Sequence, residues 1–234
     1  MSIYNDICAG IIKTDNQSFV PMSPEIVQTT SFYYETFEEY LEASNDEKNS
    51  FVYTRGSNPT TVELEKMLAK LENGEKAKVF GSGMGAISAT LLTLLKQGDH
   101  ILMLNTIYGN SLSLGNYLDK FGIEVTNVNV ERADEISQHV RPNTRVIYFE
   151  IPSSQRFELL DLEEVGKIAK ENNAYSVIDS TWASPIFQKP LEHSIDLVIH
   201  SLSKYVGGHS DLLGGVVIGN EELVDDIFEH GHQL

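Results

Sequence analysis

A lysine set among hydroxyls is the residue in this chain best placed to do chemistry. Ser201-Leu202-Ser203-Lys204-Tyr205 follows the apolar run Leu197–His200 and precedes Gly207-Gly208-His209-Ser210. A lysine held near apolar strands and other polar groups can lose its proton, and its neutral amine then attacks carbonyl carbon. Ser201 and Ser203 could hydrogen-bond phosphate oxygens. An acid comes from Val177-Ile178-Asp179-Ser180-Thr181-Trp182, where Asp179 ends an apolar run, the place where open α/β sheets receive ligands. A carboxylate there can pair with a ring nitrogen and keep it protonated. Gly81-Ser82-Gly83-Met84-Gly85-Ala86 lies between a strand-like and a helix-like segment, where bare N–H groups attract phosphate. It also fits the dinucleotide pattern G-x-G-x-x-G/A, but that reading wants an acid at the end of the next strand. His100–Leu104 instead runs into Asn105-Thr106-Ile107-Tyr108. Tyr53-Thr54-Arg55-Gly56-Ser57-Asn58-Pro59-Thr60 offers a guanidinium fork suited to phosphate, with a phenol beside it. Tyr108-Gly109 supplies a ring that could stack on a planar cofactor. Each signal also has a plainer reading: an exposed loop lysine, an aspartate capping the next helix, a tight strand–helix turn, a turn ahead of a helix, a packing ring.

These residues need a scaffold that gathers them. Val62, Leu64, Met67, Leu68 and Leu71 recur at helical spacing over 60–72, and Asn73-Gly74 is a stop signal. Strand-like runs follow at Lys78–Phe80, His100–Leu104, Glu124–Val130, Arg145–Glu150, Tyr175–Asp179, Leu197–His200 and Gly215–Ile218. Helical stretches over 84–96, 110–121, 132–140 and 161–172 lie between them. Alternating β and α units predict an α/β fold: a mostly parallel seven-stranded sheet with helices on both faces. Residues 1–57 form a separate N-terminal segment without a strong period, in which Glu35 to Ser50 carries six acids and one lysine and reads as a short solvated helix and loop. The α/β domain spans 58–234. Glu221 to Glu229 begins a further helix, and the sequence then stops at Leu234 without a closing element, so truncation is expected. In such a sheet the strand ends would bring together an amine, an acid, a phosphate nest and an aromatic ring. That set matches the needs of pyridoxal 5'-phosphate, which is held by a lysine, an acid on its ring nitrogen and a phosphate cradle.

The 234 residues carry a net charge of −17 and are 41% hydrophobic, ordinary for a globular domain. Such acidity repels nucleic-acid backbones and anionic lipid surfaces, so neither is an expected partner, although a local pocket can still hold one small anion. No apolar run approaches the ~20 residues of a membrane span, and Met1 to Ile12 lacks the basic cluster of a secretory signal. The single cysteine, Cys8, cannot form an internal disulfide, which fits a cytoplasmic location. The pair His230-x-His232 reads as a surface terminus, and no metal site is expected.

Tyr53-Thr-Arg-Gly-Ser-Asn-Pro-Thr60, Ser82-Gly-Met84, Tyr108-Gly109, Asp179-x-Thr181 and Ser201-x-Ser-Lys-Tyr-x-Gly-Gly-His-Ser-Asp211 together resemble the Cys/Met-metabolism (trans-sulfuration) pyridoxal-phosphate enzymes. The order is kept from about residue 20 to the end of the chain. The resemblance implies the large domain of a fold-type I, aminotransferase-like enzyme. It implies that Lys204 binds the cofactor covalently and shuttles protons, that Asp179 bonds the pyridinium nitrogen with Thr181 nearby, and that Tyr108 stacks on the ring and assists proton transfer or departure of the leaving group. Gly83, Met84, Ser201 and Ser203 would hold the phosphate of the same subunit. Tyr53 and Arg55 would reach the phosphate of a neighbouring subunit, which implies a homo-oligomer with a dimer-shared site, a tetramer in the family. The family's usual asparagine, which contacts the ring hydroxyl, is Ser154 here, within Glu150-Ile-Pro-Ser-Ser-Gln155. That segment, with Phe157-Glu158 and Asp179-Ser-Thr-Trp182, resembles bacterial cystathionine β-lyases more than the γ-lyases. The family's C-terminal domain, which supplies an arginine for the substrate carboxylate, would be absent. The function implied is a carbon–sulfur lyase acting on a small sulfur amino acid in methionine and cysteine metabolism. A γ-replacement enzyme, or a cofactor-binding fragment without activity, are the alternatives.

Overall fold

The computed structural model describes residues 22–231; Cys8 and His232 lie outside them. Seven strands, β1 (Lys76–Phe80), β2 (His100–Leu104), β3 (Glu124–Val128), β4 (Thr144–Glu150), β5 (Tyr175–Asp179), β6 (Leu197–Ser201) and β7 (Gly215–Gly219), form one sheet. Their order is β1-β7-β6-β5-β4-β2-β3. Strands β2 to β6 pair in parallel, and β7 runs antiparallel to both of its neighbours. The carboxyl ends of β1, β2, β4, β5 and β6 therefore share one edge with the start of β7.

Helices α1 (Phe37–Ser44), α2 (Pro59–Glu72), α3 (Gly83–Leu94), α4 (Gly109–Leu118), α5 (Leu162–Glu171), α6 (Ser184–Phe187) and α7 (Glu221–Gly231) fill the connections and the N-terminal segment. Local chemistry explains their ends. Asn58 caps α2 by accepting the Thr60 N–H at 2.9 Å, Pro59 opens the helix, and Asn73 closes it at φ 58° in the left-handed region. Asp161 caps α5 in the same way, with Glu163 and Glu164 in its first turn complementing the helix dipole. Strand side chains alternate between two cores. Ile101, Met103, Val146, Tyr148, Val177, Leu197, Ile199 and Val217 pack under Ala86, Ile87, Leu91 and Leu94 of α3 and Val224 and Ile227 of α7. Leu102, Leu104, Ile147, Phe149, Ile178 and Val198 pack on Val165, Ile168 and Ala169 of α5. Both faces are covered, as the near-continuous apolar runs require. No helix among the described residues is long and apolar enough to cross a membrane.

Two expectations change. The helix expected over 132–140 is a short 3-10 stretch, Ala133–Gln138. Its two buried apolar residues, Ala133 and Ile136, stand three apart, a spacing that a three-residue turn serves. Strand β3 stops at Val128 rather than Val130, because the Asn105 side chain takes the Val130 N–H at 2.7 Å while the Asn105 N–H donates to Val128 O.

The N-terminal segment is sewn onto α2 by polar bonds. Thr54 donates to Thr29 O at 2.6 Å, Asn58 Nδ2 to Val27 O at 3.0 Å, and the Val27 N–H to Thr60 Oγ1 at 2.9 Å.

Candidate functional site

Asp179 reaches the carboxyl edge because Val177 and Ile178, fully buried on opposite faces, leave β5 no freedom to slide. Its side chain is 7% exposed. Oδ1 accepts the Thr181 hydroxyl at 2.6 Å and the Thr181 N–H at 3.0 Å. The Thr181 Oγ1 in turn accepts the Ser201 N–H at 2.8 Å. One threonine thus ties the acid of β5 to the end of β6, three residues before Lys204. Burial raises the Asp179 carboxyl, while Thr181 and the nearby His200 pull it back towards ionisation.

The glycine turn after β1 lies against the same strand end. Ser82 caps α3, accepting the Gly85 N–H at 2.9 Å, and its carbonyl accepts the Ala86 N–H. The N–H groups of Gly83 and Met84 remain at the open helix start, where an anion is favoured. A side chain at Gly83 would stand 3.1 Å from Ser201 Cβ and 3.2 Å from its hydroxyl, and one at Gly215 would strike the Ser82 backbone. Glycine at both places lets the helix start, Ser201 and the first residue of β7 close into a cradle. The Ser203 hydroxyl is turned towards Gly214, accepting its N–H at 3.1 Å.

Tyr108 precedes α4 in the turn after β2, 47% exposed as a residue, with its hydroxyl accepting from Asn110 Nδ2 at 2.9 Å. Its backbone is held from below by Glu150, whose Oε2 accepts the Tyr108 N–H at 2.8 Å. Ser154 also turns to Glu150, donating at 2.8 and 2.9 Å to its two oxygens. Glu150 pairs in register with Asp179 on the next strand. Burial first, and the Asp179 charge second, push the Glu150 carboxyl up to about 7, against the hydrogen bonds from Ser154 and Tyr108.

Lys204 sits in an exposed turn, its backbone N–H bonded to Ser201 O at 3.1 Å. The next residue, Tyr205, ends an aromatic row: Phe157 meets Trp182 edge-on with centroids 5.2 Å apart, and Trp182 lies 6.4 Å from Tyr205. The strand ends thus gather Gly83, Met84, Tyr108, Ser154, Asp179, Thr181, Ser201, Ser203 and Lys204 along one edge. Tyr53 and Arg55 stand apart on the N-terminal segment. The Arg55 guanidinium stacks 5.1 Å from the Tyr53 ring centroid, and neither bonds to the strand-end residues among the described residues.

Sequence reasoning gave Glu150 no role. The signal was present: an acid ending a long apolar run, as Asp179 does one strand over. What the sequence does not show is the register that sets the two side by side.

The donor set suits a planar, phosphate-bearing aldehyde. Helix-start N–H groups and the Ser201 hydroxyl meet a phosphate, Asp179 a protonated ring nitrogen, the Tyr108 ring a flat face, and the Lys204 amine a carbonyl carbon. Comparison with known proteins points the same way. An L-methionine gamma-lyase of Fusobacterium nucleatum subsp. polymorphum is 44% identical over 223 residues, covering 94% of this chain and 56% of that protein. The cystathionine beta-lyase MetC of Bacillus subtilis is 36% identical over 219 residues, 93% of this chain and 54% of that protein. The chain thus spans about half the length of the curated relatives it matches. A solved structure of metY from Campylobacter jejuni, which carries N'-pyridoxyl-lysine-5'-monophosphate, superposes with a TM-score of 0.85 at 31% identity, covering 94% of this chain and 54% of that one. The family model of the Cys/Met metabolism PLP-dependent enzymes matches residues 8–233, and the chain, with its lysine, acid and phosphate cradle on one sheet edge, belongs to that family.

Proposed function

We propose that this chain builds the cofactor domain of a pyridoxal-phosphate-dependent carbon–sulfur lyase acting on sulfur amino acids, of the methionine γ-lyase or cystathionine β-lyase type. The bond relay from Asp179 through Thr181 to the Ser201 N–H carries this reading, because it fixes the acid relative to the turn that bears Lys204. Bound in this site, pyridoxal phosphate supplies an electron sink for the charge left at the Cα of an amino acid. The residues have separable duties. Asp179, oriented by Thr181, holds a proton at the ring nitrogen. Gly83 and Met84 N–H groups with Ser201 and Ser203 hold the phosphate, and Tyr108 covers the ring face. The Lys204 amine would hold the cofactor through its aldehyde carbon, with loss of the aldehyde oxygen as water, and, once released, would move the proton at the substrate Cα. The Tyr108 hydroxyl would assist departure of the leaving sulfur. Tyr53 and Arg55, which bond to none of the strand-end residues among the described residues, serve the phosphate of a neighbouring copy, so the working unit is a homo-oligomer. A single cysteine, which can form no internal disulfide, supports a reducing, cytoplasmic location.

Trapping tests this directly. Purified protein is mixed with pyridoxal phosphate, its visible spectrum recorded, and the product reduced with borohydride and mapped. Label at Lys204 is the expected result, and label at another lysine overturns the site. Products from methionine, from cystathionine, and from a homoserine ester with a thiol then separate γ-elimination, β-elimination and replacement; replacement alone would overturn the lyase assignment.

A further inference from the structure

The acid that ends β4 is needed neither for the phosphate nor for the ring nitrogen, yet three groups converge on it. Glu150 is 5% exposed, stands in register with Asp179, and accepts both the Tyr108 N–H and the Ser154 hydroxyl. Tyr108 makes no side-chain cap for α4. The bond to Glu150 ties the backbone of the ring-bearing residue itself to the sheet, while buried Ile107 and the Asn105 bonds anchor the turn just before it. We propose that Glu150 is a positioning residue of the cofactor site, fixing the stacking ring of Tyr108 through its backbone and presenting a second carboxylate beside Asp179. This role rests on the pyridoxal-phosphate reading above.

The groups that face Glu150 are Asp179 from β5, Tyr108 from the turn after β2, and Tyr148 from β4 itself. No lysine or arginine forms an ion pair with it among the described residues. Because Glu150 titrates near 7, its charge changes within the working range of most enzymes. A hydrogen bond to an ionised acceptor is roughly twice as strong as one to a neutral acceptor. The grip on Tyr108 therefore tightens as pH rises through about 7, and the added negative charge faces a protonated ring.

The test is the affinity of the purified protein for pyridoxal phosphate, titrated by absorbance across pH 6 to 8.5. Glu150→Gln keeps a carbonyl to accept the Tyr108 N–H but removes the charge. The ratio of variant to wild-type Kd should be near one at pH 6 and rise to about fivefold at pH 8.5. Comparing the two proteins cancels every titration that they share, that of the phosphate included. Glu150→Leu removes the grip altogether and should weaken binding by about tenfold or more at every pH. A ratio that stays flat across the range, or a leucine variant that binds like wild type, overturns the role. Should the leucine variant not fold, Ser154→Ala decides: it removes a bond that favours the ionised carboxylate, so the pH transition should move upward, and an unmoved transition counts against Glu150. Wild-type protein that never traps the cofactor at Lys204 would sink the functional reading instead, a result distinct from any of these.

Discussion

His200 and Glu72 meet inside the protein, Nε2 to Oε1 at 2.5 Å, joining the end of β6 to the last residue of α2. Strand alternation puts His200 on the same face as Val198, away from Ile199 and from Asp179 across the sheet. Both partners are buried, and the second oxygen of Glu72 has no hydrogen bond. A pair of this kind lends the fold little net stability, but either member left alone is expensive. Glu72→Ala should therefore lower the unfolding free energy by about 3 kcal/mol. The double change Glu72→Leu with His200→Leu should be milder than that single change. Urea unfolding at neutral pH measures both, and a double variant weaker than Glu72→Ala would contradict the pairing.

Thr181 is the hinge between the acid and the lysine turn. Thr181→Val keeps the shape and deletes the hydroxyl, leaving the Asp179 carboxylate and the Ser201 N–H each short of a partner. A loss of about 1–3 kcal/mol in stability is expected. Asp179, already raised by burial, loses one of the bonds that pull it back, so it should rise further. Cofactor binding should then weaken most at the acid end of the pH range, where Asp179 becomes neutral and cannot hold the ring proton. Equal weakening at all pH values would separate a packing defect from this charge effect.

Lys204 presents the opposite case, a residue whose chemistry is separable from the fold. Its side chain is exposed and forms no ion pair or hydrogen bond among the described residues. Lys204→Ala should abolish borohydride-trapped cofactor while shifting the unfolding free energy by no more than about 0.5 kcal/mol. A large loss of stability would mean that the turn from Ser201 to Gly208 depends on the lysine stem for its packing.

Much of this was legible in the residues themselves. The five inner strands were legible because strands buried on both faces read as continuous apolar runs, whereas edge strands β1 and β3 are only partly buried, and Asn58-Pro59 with Asn73-Gly74 bracket α2 by backbone chemistry alone. The short 3-10 stretch at Ala133–Gln138 was not legible, since two apolar residues three apart fit either kind of turn. Nor was the pairing of Glu150 with Asp179, or of Glu72 with His200. Those depend on which strand lies beside which, and β4 neighbours β2 and β5 rather than β3. The motif residues Tyr53 and Arg55 mark the limit of a single chain: their types suit a phosphate, yet they bond to none of the strand-end residues among the described residues.

Two buried groups tie stability to pH with opposite signs. His100 is fully buried between Thr144 and Thr126, at 2.8 and 2.9 Å, and burial, helped by the Arg141 charge, lowers it to about 4. An unfolded histidine titrates near 6.5, so between about 6.5 and 4 the unfolded chain binds a proton that the folded chain refuses. Stability from His100 is present above that window and falls by up to about 3 kcal/mol as pH drops through it. Glu150 works the other way. Its folded value of about 7 lies above the unfolded 4.5, so the folded chain holds the extra proton in between, and stability falls as pH rises through that interval by a similar amount, about 3 kcal/mol. Asp179, also raised, adds to the same side. In the wild type the two slopes offset each other over most of the range from pH 4.5 to 6.5. Glu150→Gln removes one of them. Urea unfolding of the cofactor-free variant should then show stability climbing steadily from pH 4.5 to 6.5, and the variant gaining about 3 kcal/mol on the wild type between pH 4 and pH 8. A variant less stable than wild type at both ends of the range would mean that the Tyr108 and Ser154 bonds outweigh the burial of the charge, and that Glu150 is ionised in the folded protein well below pH 7.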